Sequence, residues 1–213
     1  MSLSVDIGIL EYTEDELVKY LRDEAGSSSP SYFSSNKFGG LYLQQIPEEY
    51  AKLLKWLQKQ KFQLYLELGI GDGGSFLLDT MFQPSLKISV AVDNCSYWSE
   101  QRGRITEVLH YLEYNKSSCS VRFIEKSTDD FFKDNDLVFD CIFIDADHSY
   151  EGVKRDYENS LKILNNNGYI IFHDINSRQC PGVVKLWNEV SSQDDLTFIA
   201  SGNCGIGVLF PFK

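Results

Sequence analysis

Leu64-Tyr65-Leu66-Glu67-Leu68-Gly69-Ile70-Gly71-Asp72-Gly73-Gly74-Ser75 is the stretch that decides how this chain folds. Strand-forming residues run into an acid, dissolve into glycine, and give way to a helical stretch. The glycines at 69, 71, 73 and 74 can take backbone angles closed to other residues and let main chain approach a ligand closely. A strand-glycine-helix junction of this kind cradles a nucleotide-like cofactor at the carboxyl end of a parallel sheet.

Outward from that turn the chain alternates strands and helices. Apolar runs at 64–68, 88–92, 121–125, 138–144, 169–172, 197–200 and 206–210 read as strands. Amphipathic stretches lie between the earlier ones: Ile105, Val108, Leu109 and Leu112 share a face, as do Val153, Tyr157, Leu161 and Leu164. Continuous apolar strands separated by helices predict a parallel sheet covered on both faces. Only five residues, 201–205, separate the last two strands, too few for a crossover helix, so these two form an antiparallel hairpin. The expected fold is α/β: a Rossmann-like, doubly wound sheet of seven mostly parallel strands ending in that hairpin.

Residues 1–60 read as a helical extension packing on a core of residues 61–213. Thr13-Glu14-Asp15-Glu16 has capping-box spacing ahead of Leu17 and Leu21. Gly26-Ser27-Ser28-Ser29-Pro30 then breaks the chain, and residues 26–40 read as a mobile loop. A second helix follows Pro47, with Tyr50, Leu53, Leu54 and Leu57 on one face. Neither helix carries a chemical motif; packing, a lid or a dimer contact are all compatible with them, and oligomeric state stays open.

Composition narrows the function. The chain has 213 residues, ordinary hydrophobic (43%) and charged (24%) fractions, and a net charge of −11. With no dense Lys/Arg run, a nucleic-acid partner is disfavoured, because such binding rests on clustered positive charge. Five scattered cysteines without CxxC spacing argue against a disulfide framework or structural zinc site. No signal peptide and no membrane-length apolar run are evident. A cytoplasmic setting is the expectation.

Read literally, Gly69-x-Gly71-x-x-Gly74 matches the dinucleotide fingerprint, with Asp93 near the place of a ribose-binding acid. Glu67 points elsewhere. An anion in the strand end is awkward beside a pyrophosphate but useful near the amino group of an amino-acid-bearing cofactor. Asp93 ends the next strand, where its carboxylate could accept both hydroxyls of a ribose.

With Glu67, Gly69, Gly71 and Gly73 in the pattern acid-x-Gly-x-Gly-x-Gly, the chain resembles the class I S-adenosylmethionine-dependent methyltransferases over roughly residues 45–213. The resemblance implies that these residues and Asp93 hold S-adenosylmethionine. Many relatives place an acid for the adenine amino group where Glu125-Lys126-Ser127-Thr128 stands here, and Ser127 is the candidate for that contact.

A second constellation lies at Phe143-Ile144-Asp145-Ala146-Asp147-His148 and one strand later at Phe172-His173-Asp174. Both deliver acids and a histidine to the carboxyl ends of strands, where ligands bind. The pair is similar to metal-dependent small-molecule O-methyltransferases, including enzymes that methylate sugars. That likeness implies Asp145 and Asp174 as ligands of a divalent metal, Mg²⁺, Asp145 as a wall of the cofactor site, and His148 as general base. The family's second ligand beside the later Asp is replaced here by His173 and Ile175. Asp147 reads as a helix cap or a solvated acid, and His110 as a surface or packing residue.

The expected function is methyl transfer to a hydroxyl of a small molecule, a sugar or polyol by resemblance. Two rivals stand beside it: a nicotinamide-dependent oxidoreductase, and a methyltransferase-like binding module without chemistry.

Overall fold

Local sequence signals set the first elements in the computed structural model, which describes residues 3, 5–23, 36–38, 41–96, 99–200 and 204–212. A 3-10 turn at Ile7–Glu11 precedes α1 (Glu14–Asp23). The capping box forms as read: the Thr13 N–H donates to Glu16 Oε2 (2.8 Å), and the Glu16 N–H donates to Thr13 Oγ1 (3.3 Å). The loop expected at 26–40 is corrected at its end. Within it, 26–35 and 39–40 lie outside the described residues, but β1 (Asn36–Phe38) pairs antiparallel with β2 (Leu41–Leu43). The Gly39-Gly40 pair between them is a hairpin signal that the loop reading passed over. Then α2 (Pro47–Leu57) starts on its proline, whose missing N–H costs nothing in a first turn.

The core sheet contains β3 (Leu64–Leu68), β4 (Ile88–Asp93), β5 (Ser120–Glu125), β6 (Phe139–Ile144), β7 (Leu164–His173), β8 (Leu196–Phe198) and β9 (Ile206–Leu209). Between them run α3 (Gly74–Phe82), α4 (Gln101–Asn115), α5 (Thr128–Asp134), α6 (Tyr150–Lys162) and α7 (Pro181–Val190). Strand order is β5-β4-β3-β6-β7-β9-β8, parallel through β7, with β9 antiparallel to both neighbours. The chain leaves β3 toward β4 on one side and returns to β6 on the other. The order therefore reverses between β3 and β6, and a crevice opens there beyond the strand ends. β7 begins earlier than expected because Leu164 pairs with Phe139 before a register shift brings Tyr169 opposite Cys141.

Two buried clusters sandwich the sheet. Tyr65, Ala91 and Phe143 face α2, α3 and α4, while Leu66, Val92 and Ile144 face α6 and α7. Val5, Ile9, Leu17 and Leu21 belong to the first of these. Glu49 ties α2 to the far edge, accepting hydrogen bonds from the Ala200 and Gly205 N–H groups at 2.8 and 2.9 Å.

A polar cluster is sealed beneath the glycine turn. Ser75 Oγ donates to Glu67 Oε1 (2.5 Å), Tyr50 OH to Asp79 Oδ1 (2.8 Å), and Tyr65 OH lies between Glu67 Oε2 (3.0 Å) and Asp79 Oδ2 (2.8 Å). Three hydroxyl protons thus face four carboxylate oxygens, and one acid must keep its own proton to complete the set. Burial accordingly lifts Glu67 well above the usual carboxylate range, with the Asp79 charge adding to it, and lifts Asp79 to about 7. The unfolded chain releases these protons near pH ~4, so the folded state holds more protons between there and neutrality, and stability falls as pH rises through that window. Urea midpoints are expected to decline from about pH 5 to about pH 8 more steeply in the wild type than in Asp79→Asn, which lacks one of the two ionisations. Parallel profiles would remove the shared proton from the account.

Candidate active site

Gly69, Gly71 and Gly73 hold φ of 79°, 50° and 88°. The tightest constraint is at Gly69, where a Cβ would lie 2.3 Å from the Asp145 carbonyl oxygen and 2.7 Å from Ala146 Cα. The closeness follows from the sheet: β3 and β6 are neighbours, and the Asp145 N–H donates to the Leu68 carbonyl at 2.9 Å. Gly73 caps α3 against Val108 and does not line the cavity.

The turn's donors already have an anion. Asp93 Oδ2 accepts from the N–H groups of Ile70 (3.0 Å) and Gly71 (3.1 Å), and Oδ1 accepts from the Cys95 N–H (2.7 Å) and Gln101 Nε2 (3.0 Å). Four donors fill the acceptor sites of one carboxylate. Asp93 lies in the cavity wall, where its oxygens clip the turn shut. Glu67 is fully buried and stands behind Ser75, and it is Ser75 that reaches the cavity. Ser127 lines the cavity, but its hydroxyl caps α5, accepting from the Asp130 N–H (3.1 Å) and donating to Asp130 Oδ2 (2.9 Å). That use competes with an adenine contact.

The cavity itself measures about 410 Å³ and runs from the glycine turn to Asp145, Asp147 and His148, a size suited to a small cofactor. Its lining carries Asp72, Asp93, Asp129, Asp145, Asp147 and Asp156 against Lys126 and Arg155. Arg104 neutralises Asp72 at 2.7 Å, which still leaves the acids in excess. Asp156 is 2% exposed, its Oδ2 has no hydrogen-bond partner, and burial lifts its carboxyl to about 6. Asp147 braces the turn before α6 by accepting the Ser149 N–H (2.9 Å).

Beside Asp145 four titratable groups meet. His148 Nε2 lies 3.1 Å from Asp145 Oδ1 and 3.6 Å from Asp174 Oδ2; His173 Nδ1 lies 3.5 and 3.6 Å from the same two atoms. The hydrogen bond to Asp145 raises the pKa of His148 above the ordinary histidine value and makes it a stronger base. Burial opposes charge on His173, but Asp145 and Asp174 outweigh it and hold the imidazole well above its usual range. Both acids are held below theirs, because the histidines outweigh their burial. Asp174 and His173, 5% and 6% exposed, sit behind the cavity wall. His110 is exposed on α4, away from this cluster.

The Mg²⁺ that the resemblance implies does not fit these donors. Mg²⁺ takes oxygen ligands in near-octahedral geometry, whereas here each carboxylate faces imidazole nitrogen and Asp174 Oδ2 accepts the Cys180 thiol at 3.1 Å. Among the described residues, the groups close enough to share an ion are His148/Asp174/Cys180 and His173/Asp174/Cys204. Asp145 belongs to neither.

Several of these residues escaped the sequence reading. Asp79 is the one charged residue in the otherwise uncharged stretch from Phe76 to Met81, a signal of a buried polar partner that could have been seen. Gln101 and Asp156 carry no such mark, since each lies in an ordinary amphipathic helix.

A family model described as a methyltransferase domain matches residues 66–175. An uncharacterised protein of Acanthamoeba polyphaga mimivirus is 29% identical over 133 residues, which is 59% of this chain and 58% of that protein. Among solved structures, the O-methyltransferase from Bacillus cereus in complex with SAH superposes with a TM-score of 0.57 at 16% identity, covering 95% of this chain and 93% of the other. The O-methyltransferase TomG from Streptomyces achromogenes, in complex with SAM, gives 0.57 at 15% identity over 94% and 92%. At such identities the likeness to these structures is one of fold.

Proposed function

The chain belongs to the methyltransferase-domain family, and from that premise we propose that it transfers a methyl group from S-adenosylmethionine to a hydroxyl of a small molecule, of the sugar or polyol kind. One observation carries the choice of cofactor: Asp93 occupies the N–H groups of Ile70 and Gly71 in a cavity rich in carboxylates. A dinucleotide needs such donors for its pyrophosphate. Here they are taken, and the acidic wall repels a diphosphate while attracting a sulfonium and an ammonium. The same wall argues against the oxidoreductase reading.

Methyl transfer is an in-line displacement. The acceptor oxygen attacks the methyl carbon, the carbon–sulfur bond breaks with its electron pair going to sulfur, and the hydroxyl proton leaves to a base. His148, oriented by Asp145 and facing the cavity, is that base in this reading. Holding acceptor and donor in line supplies much of the remaining acceleration. No step is assigned to Mg²⁺.

Calorimetry with S-adenosylmethionine, S-adenosylhomocysteine and NAD tests the cofactor. The first two are expected to bind one per chain and NAD not at all; binding of NAD alone would defeat the proposal. A methyl-transfer assay across sugars, polyols and phenols then tests the acceptor class, and absence of transfer to every hydroxyl would leave a binding module.

A further inference from the structure

We infer that His173, Asp174 and Cys204 form a site for a borderline divalent cation of the zinc class, where the end of β7 meets the connection from β8 to β9. The inference stands on donor chemistry and does not depend on the methyl-transfer reading.

Donor atoms of the three residues lie within 4.8 Å of one another. Imidazole, carboxylate and thiolate together are ligands for Zn²⁺, which accepts four-coordinate mixed sets. Two further atoms point the same way: His173 Nε2 and Asp174 Oδ1 are buried without a hydrogen-bond partner, in residues at least nine-tenths buried. Buried polar atoms are nearly always satisfied, and unsatisfied ones mark a place where an ion or other partner belongs.

The backbone is built to bring the ligands together. Asp174 holds a left-handed φ of 62°, a conformation that needs surrounding support in a residue other than glycine. The support comes from the Cys204 side: the Asn176 N–H donates to the Cys204 carbonyl (2.7 Å) and the Ile175 N–H to that of Gly205 (3.2 Å). Main-chain bonds thus fix Cys204 beside Asp174 before any ion arrives. The alternative set, His148/Asp174/Cys180, shares Asp174 with this one; its thiol donates to Asp174 and its imidazole is hydrogen-bonded to Asp145. Three protein ligands leave a fourth position for water or another group.

The test uses the full chain, stripped with a chelator and reloaded. One Zn²⁺ per chain is expected to survive desalting and to resist millimolar Mg²⁺. Co²⁺ in its place should show the intense d–d absorption of a four-coordinate site and a thiolate-to-cobalt charge-transfer band. Cys204→Ser should lose that band and weaken Zn²⁺ binding at least about 10-fold, while Cys180→Ser keeps both. Zn²⁺ that washes off the wild type, a cobalt spectrum without the thiolate band, or a band that survives Cys204→Ser each overturn the assignment. If Cys204→Ser does not fold, the wild-type retention and spectrum decide. Binding of S-adenosylmethionine, measured separately, keeps a failure here distinct from a failure of the proposed function.

Discussion

Gly69→Ala is expected to abolish binding of S-adenosylmethionine and to destabilise the fold by on the order of 3 kcal/mol. Two penalties combine. The residue sits at φ 79°, where a Cβ costs about 1–2 kcal/mol. The new methyl would also stand 2.3 Å from the Asp145 carbonyl oxygen, and that atom belongs to backbone, which cannot swing aside as a side chain can. Either β3 and β6 part, breaking the bond from the Asp145 N–H to Leu68, or the turn leaves its position and pulls the Ile70 and Gly71 N–H groups from Asp93. Both outcomes deform the cavity floor. Gly71→Ala is the control: φ is again positive, but a Cβ there meets nothing within 4 Å, so only the conformational cost of about 1 kcal/mol remains. Urea unfolding and calorimetry of both variants decide the matter. Equal losses at the two positions would mean that the approach of Asp145 to the turn is not what makes glycine necessary at 69.

The contrast between these glycines marks how far the sequence alone could be read. The sheet was legible because its signals are local: apolar runs of strand length, amphipathic stretches between them, and a connection at 201–205 too short to cross the sheet. The turn was legible as a turn for the same reason. What it binds was not, because that depends on where N–H vectors point in three dimensions. Asp93 reads as a ribose acid by position, but its position does not show that its oxygens lie where the Ile70, Gly71, Cys95 and Gln101 donors converge. Glu67 is a different case. β3 is buried on both faces, so its alternation of side chains carries no inside-outside label; Glu67 shares the Tyr65 face, turned toward Asp79 on α3. At the other end, the sequence placed Asp145, His148 and Asp174 at neighbouring strand ends and the structure brings them together. It also showed His173 next to Asp174, but not that the imidazole faces both acids. That contact joins the ends of two strands and depends on where the side chains point in three dimensions.

His148→Ala carries the other large effect. Turnover is expected to fall by about 10²–10⁴ while the affinity for S-adenosylmethionine stays within a few-fold. The split follows from geometry: His148 lines the cavity, and its hydrogen bond runs to Asp145 Oδ1 at 3.1 Å, not to the turn or to Asp93. Removing the ring takes away a proton acceptor and leaves the turn and Asp93 as they are. A purely structural role would give a different pattern, since loss of the ring would then disturb Asp145 and, through its backbone contact with Gly69, the cofactor floor. Acceptor acidity separates the two accounts. If His148 takes the proton, the penalty shrinks for acceptors whose hydroxyl ionises more readily, because less of the barrier is proton removal, and added imidazole restores part of the lost rate. If the ring only braces Asp145, the penalty is the same for every acceptor and cofactor affinity falls with it. Kinetics of His148→Ala on an aliphatic alcohol and on an acidic phenol, each at saturating cofactor, distinguish them; a loss independent of the acceptor would remove His148 from the chemistry.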